Sequence, residues 1–165
     1  MAADQALRGK HFVPRKILVP VDFSGCSGAV LQHALDLGNA FQARITVLHV
    51  VEPALHAGNY VSVDGGLDPL NHDLVEAARA KLQQFARETA GQKIQVDTLV
   101  RFGRAYSEIP DTAEALGADL IVVGICGRTS RNPAALGSTV DRVVRHSSCP
   151  VLTVRCAVAC PPQRA

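Results

Sequence analysis

The chain has 165 residues, enough for one domain with a substantial core and too few for two ordinary ones. An apolar share of 47 % against 19 % charged is globular, and aromatics at 4 % without Trp leave the core to Val, Leu, Ile and Ala, the vocabulary of buried parallel strands. A net charge of +2 argues against nucleic acid or an anionic membrane surface as partner, and no window approaches the ~20 apolar residues of a transmembrane helix.

In chain order, residues 1–14 read as a tail without the apolar stretch of a signal peptide, 15–155 as the domain, and 156–165 as a second tail. KILVPVD, residues 16–22, is a short apolar run ending in a turn-forming Asp, which predicts a buried first strand. From Cys26 to Phe41, Ala29, Val30, Ala34, Leu37 and Phe41 recur at helical spacing, with Asp22 or Ser24 available to cap the start. RITVLHVV, residues 44–51, is a second β-branched run, and the two strands with their helix make a right-handed βαβ unit.

Residues 52–72 carry Pro53, Gly58, Gly65, Gly66 and Pro69 without a period and read as a long loop. Between Asp73 and Thr89, Leu74, Ala77, Ala78, Leu82, Phe85 and Ala86 mark one helical face, and Gly91 closes that helix. A strand over 94–101, a helix from Tyr106 to Leu116, the most apolar strand over 119–124, a helix from Ser138 to His146 and a last strand over 150–154 complete the pattern. Strict alternation predicts an α/β fold, a doubly wound five-stranded parallel sheet with helices on both faces.

The chemistry concentrates after the apolar strand, where Gly124-x2-Gly127 is followed by nine residues and then by Gly137-Ser138-Thr139 opening a helix. Glycines at a strand end let backbone approach a ligand, and the free N–H groups of a helix start favour an anion. Turn formation alone also accounts for the glycine pair, and Ser138-x-x-Asp141 fits a capping box in which the hydroxyl serves the helix itself. Arg128, Arg131, Arg142, Arg145 and Arg155 against the single acid Asp141 bias this segment toward anions.

These residues, with VPVDFS at the end of the first strand and the ending HSSCPVLTVR, resemble the ATP-binding branch of the universal stress protein family over roughly residues 15–155. The resemblance implies strand order 3-2-1-4-5, with the ligand at the switch point between the first and fourth strands. It implies that Pro20, Val21 and Asp22 line the adenine and ribose end, with Val50 beside the base. Val123, Gly124 and Gly127 would follow the ribose and phosphates, and Gly137, Ser138 and Thr139 would hold the phosphate tail, with Mg²⁺ or Mn²⁺ bridging phosphate oxygens. At Asp22 a carboxylate can accept from ribose hydroxyls or the adenine amine, or cap the first helix. A homodimer through the edge strand 150–154 is implied as well. Cys126, where the family often has His, and Asn132-Pro133 within the nine-residue span are departures that bear on affinity and not on fold.

The expected function is regulatory nucleotide binding in a stress response, in the cytoplasm, where five scattered cysteines without a CxxC pair stay reduced. A slow ATPase and a nucleotide-independent dimeric scaffold are the alternatives. Catalysis has little sequence support: there is no Walker Gly-x4-Gly-Lys-Ser/Thr and no Gly-x-Ser-x-Gly, and of the nearby histidines His49 reads as a packed strand residue. Cys126, in a basic loop, reads either as a redox-sensitive thiol or as a plain small residue.

Overall fold

The computed structural model describes residues 12–53, 69–91, 96–125 and 136–155. Strands and helices alternate strictly: β1 (Lys16–Pro20), α1 (Ser27–Phe41), β2 (Arg44–Val51), α2 (Pro69–Ala90), β3 (Val96–Phe102), α3 (Ala105–Leu116), β4 (Leu120–Gly124), α4 (Ser138–His146) and β5 (Val151–Val154). The strands form one sheet in the order β3-β2-β1-β4-β5, and every adjacent pair runs parallel. This is the doubly wound topology expected from the alternation.

A right-handed crossover puts its helix on the face set by the direction in which the chain steps across the sheet. The chain steps one way from β1 through β2 to β3, then returns past β1 to β4 and β5, so the helices divide two and two. The strand period of two sorts consecutive residues accordingly. Ile17, Val19 and Val21 join Val30, Leu31, Ala34 and Leu35 of α1 and Leu82 of α2 in one core. Leu18, Leu48, Ile121 and Val123 join Ile109 and Ala113 of α3 and Val140 and Val143 of α4 in the other. Gly38 of α1 lies so close to β2 that an added Cβ would stand 2.6 Å from Ile45 Cδ1, so any side chain there would have to displace the Ile45 side chain.

Several boundaries differ from the sequence expectation. β1 ends at Pro20; Val21 still donates its N–H to the Leu48 carbonyl at 2.8 Å, and the chain turns at Asp22. α1 starts after Cys26 with no side-chain cap, so neither Asp22 nor Ser24 serves as its N-cap. In α1 the buried set includes Leu31 and Leu35, while Ala29 is exposed. α2 begins at Pro69, inside the expected loop, because proline is well suited to a first helical turn where its missing N–H is not needed. The buried residues in the first half of α2 include Asn71, whereas Leu74 is 48 % exposed. Counting back from Leu82 in steps of four drifts about 40° per step, which carries Leu74 off the buried stripe. Gly91 and Gly117 close their helices in left-handed conformations, as expected. Residues 54–68, the expected strand start at 94–95, residues 1–11 and the tail 156–165 lie outside the described residues.

The amino edge of the sheet is stitched by side chains: the Asp119 carboxylate accepts the N–H groups of Arg15 and Lys16, and Lys16 Nζ donates to the Leu116 carbonyl at 2.9 Å. Among the described residues, no helix is long and apolar enough to cross a membrane.

Candidate functional site

β1 is the strand at which the winding reverses, so the crossovers leaving β1 and β4 depart in opposite directions and open a crevice at their carboxyl ends. The β1/β4 register pairs Ile17 with Leu120 and Leu18 with Ile121, and by residue count Pro20 and Val123 each lie two residues beyond the last of these pairs. Pro20 pairs with Leu48 on the other side, and by the pleat it shares the α3/α4 face with Leu18, Val123 and Val50. Val50 is held from its far side, because Gly103 donates to the Val51 carbonyl at 3.0 Å and Glu52 Oε1 accepts the N–H of Ala105 at the start of α3. Pro20, Val50 and Val123 therefore share one end of one face, and the half-buried Gly124 follows Val123 at the end of β4.

Val21 behaves differently. Its side chain is buried among α1 residues on the opposite face, and both its backbone polar groups bond to β2.

Beyond β4 the chain reaches Ile125, whose N–H bonds the Val154 carbonyl at 2.9 Å and whose carbonyl accepts the N–H of Gly137 at 3.1 Å. The start of α4 is thereby fastened to the end of β4. Gly137 is the N-cap, with φ −62° and ψ 147°, a conformation open to any residue. Among the described residues an added Cβ there would meet only the Ile125 carbonyl, at an ordinary 3.5 Å. Asp141 is the first residue to bond back, to the Gly137 carbonyl, so the N–H groups of Ser138 and Thr139 precede the helical ladder and a glycine cap has no side chain to offer them. The capping box does not form: Ser138 is the first helical residue and not the cap, and the Asp141 carboxylate binds Arg145 Nε at 3.0 Å. Gly127 and Cys126 lie outside the described residues, as do Arg128, Arg131, Asn132 and Pro133.

The turn after β1 is tightly built. Asp22 Oδ1 accepts the N–H of Ser24 at 2.9 Å and the hydroxyl of Ser27 at 3.2 Å, so its structural role is to close an Asx-type turn ahead of α1. Phe23 follows with φ +58°, a left-handed conformation that costs a bulky residue about 1–3 kcal/mol. Its ring packs on His49 at 4.4 Å between centroids and edge-on to Phe85 at 5.9 Å, with Lys81 Nζ 4.3 Å from its centroid. His49 was expected as a packed strand residue and is one, but its partners Phe23 and Lys81 were not evident from sequence, although Asp-x-Ser was a readable Asx-turn signal.

Two of the arginines singled out in this segment are engaged away from the start of α4. Arg142 stacks over the Tyr106 ring at 4.4 Å, and Arg145 pairs with Asp141. The hydrogen bond from Arg145 holds the Asp141 carboxyl below its ordinary 3.8, outweighing desolvation, with the nearby Arg142 and His146 charges adding to it. A lowered folded value means that this pair contributes stability above pH 3.8 and loses it as the pH falls through the folded value. Arg145→Ala should return Asp141 to near its ordinary value in a carboxyl NMR titration; an unmoved titration would show that the pair does not persist in solution. His146 Nδ1 bonds the Arg142 carbonyl at the far end of α4.

The chain matches the universal stress protein family over residues 14–155. It belongs to that family. Universal stress protein YxiE of Bacillus subtilis is 32 % identical over 146 residues, which cover 85 % of this chain and 98 % of that one. The solved structure of protein MJ0577, a universal stress protein of Methanocaldococcus jannaschii, is 28 % identical with a TM-score of 0.75 and covers 90 % of this chain and all of that one. A universal stress protein solved in complex with cAMP is 21 % identical with a TM-score of 0.56, covers 87 % of this chain and 98 % of that one, and shares the fold.

Proposed function

We propose that this universal stress protein binds a nucleotide, ATP in the first place, in the crevice between β1 and β4, and that occupancy is what a partner reads. The observation that carries this is Gly137. Among the described residues, neither its backbone conformation nor the packing around it calls for glycine, and we read the missing side chain as room for a ligand approaching the start of α4. In this reading Pro20, Val50 and Val123 wall the base, and Asp22 accepts from the ribose hydroxyls or the adenine amine. Gly124 and Gly127 allow close passage of the backbone, and the N–H groups of Ser138 and Thr139 take the terminal phosphates. Val21 contributes by keeping the end of β1 in register. The choice of ATP rests on the spacing Gly124-x2-Gly127-x9-Gly137-Ser138.

Among the described residues no three His, Cys, Asp or Glu side chains gather as a metal site. In this reading a Mg²⁺ or Mn²⁺ arrives with the phosphates and keeps its waters, with a Ser138 or Thr139 hydroxyl as the protein ligand, and would neutralise phosphate charge.

The two sheet edges differ in a way that supports self-association through 150–154. β3 carries the exposed charges Asp97 and Arg101, a device that discourages strand addition, whereas β5 is uncharged with Leu152 41 % exposed. A twofold pairing of β5 strands would leave both crevices open.

The test is to release any copurifying small molecule for mass analysis, titrate Mg-ATP by calorimetry, and weigh the same sample by light scattering. ATP or micromolar affinity with a dimer mass is expected. No nucleotide and no heat would remove the nucleotide reading and leave the scaffold, and a monomer would remove the β5 interface. Steady phosphate release in the titrated sample would favour a slow ATPase.

A further inference from the structure

The residue flanking Asp22 on each side is held by the same side chain of β2. Before it, the Val21 carbonyl lies 2.8 Å from His49 Nδ1, and because a carbonyl only accepts, Nδ1 carries the proton and donates. After it, the Phe23 ring rests on the His49 imidazole with an interplanar angle of 40°. The left-handed backbone of Phe23 is unfavourable for a phenylalanine and persists only where surrounding contacts over-determine it. Those contacts are His49, with Phe85 and Lys81 from α2. Asp22 itself, between the two held residues, accepts the Ser24 N–H and the Ser27 hydroxyl at Oδ1.

We propose that His49 is a positioning residue of the nucleotide site: by its bond to the Val21 carbonyl and its stack against Phe23 it presets the turn that presents the Asp22 carboxylate at the edge of the crevice. This rests on the nucleotide reading above. His49 lies on the α1/α2 side of the sheet with Phe23, away from the face shared by Pro20, Val50 and Val123, so it acts through Asp22 and not by touching the base. Preset acceptors bind without the cost of ordering a loop, and loosening the turn returns that cost to every binding event. Because α2 supplies Lys81 and Phe85 to the same ring, the turn also ties the crevice to that helix.

A double-mutant cycle tests it. Mg-ATP affinity is measured by calorimetry for the wild-type protein, His49→Val, His49→Asn, Asp22→Ala and the pair His49→Val with Asp22→Ala. His49→Val keeps a strand-forming residue and should weaken binding about tenfold. His49→Asn, whose amide N–H can replace Nδ1–H, should recover most of the loss. In the Asp22→Ala background the same His49→Val change should cost less than about twofold, since the group it positions is gone. Equal losses in both backgrounds, or an unchanged affinity in His49→Val, would overturn the proposal. Phe23→Leu, which keeps apolar volume and removes the stacked ring, serves the same cycle if His49→Val does not fold.

Hydrogen exchange at the Ser24 amide in ligand-free protein separates this from the nucleotide reading. It should quicken about tenfold in His49→Val, with exchange in the β1 and β4 amides unchanged. A wild-type protein that binds no ATP would end the nucleotide reading; in that case quickened Ser24 exchange still supports His49 as the holder of the turn, and unchanged exchange overturns it.

Discussion

Replacing Gly137 with Thr should weaken Mg-ATP binding by about 100-fold or more, roughly 3 kcal/mol, while the melting temperature stays within about 4 °C of wild type. Threonine caps a helix about as well as glycine, so the change is close to neutral for α4 itself. Among the described residues the space around residue 137 accepts a Cβ without displacement, since the nearest such atom is the Ile125 carbonyl at 3.5 Å. What the side chain would obstruct is the approach to the N–H groups of Ser138 and Thr139, where the terminal phosphates are proposed to lie. Calorimetry and thermal melting on one preparation separate the two effects. An unchanged affinity would mean that the phosphates lie elsewhere, whatever else the crevice binds.

Leu31→Ala should produce the reverse pattern. Leu31 is fully buried on α1, a helix that packs across β1, β2 and β4. Truncating it removes apolar contact and leaves a cavity that a stiff sheet cannot close, at a cost of about 2–5 kcal/mol. That is a large part of the 5–15 kcal/mol typical of a domain, and the melting temperature should fall by roughly 5–15 °C. The urea midpoint should drop with little change in slope. Nucleotide affinity measured well below the melting range should survive, because no crevice residue contacts the lost atoms from the α3/α4 side. Loss of affinity in the folded variant would show that the α1 face shapes the crevice more directly than its packing indicates.

How much of this was legible in sequence differs from element to element. β2 was read to the residue because it is a continuous β-branched run bounded by Ala43 and Glu52. α4 was likewise read to the residue from its glycine start and its basic end. The start of α2 was missed because Pro69 was taken as a breaker, although proline opens helices as readily as it interrupts them. At the site, alternation along β1 already separates Pro20 from Val21, since neighbours on a strand cannot face the same way. The turn at Phe23 was not legible. Its left-handed backbone depends on His49, Lys81 and Phe85, residues far away in sequence that no local propensity connects to it.

The hydrogen bond from Gly137 to the Ile125 carbonyl brings the end of β4 and the start of α4 together at almost one point. A segment anchored in this way is topologically an insertion: its ends are joined before its own length matters. Loop-closure entropy then grows only slowly, by about 0.6 kcal/mol for each doubling of length. On loop-closure entropy alone, a longer or shorter connection between these two anchors costs the fold little. Under the proposed nucleotide reading, ligand preference and fold stability should be separable, and a segment transplanted from a relative between these two anchor residues should carry its preference with it.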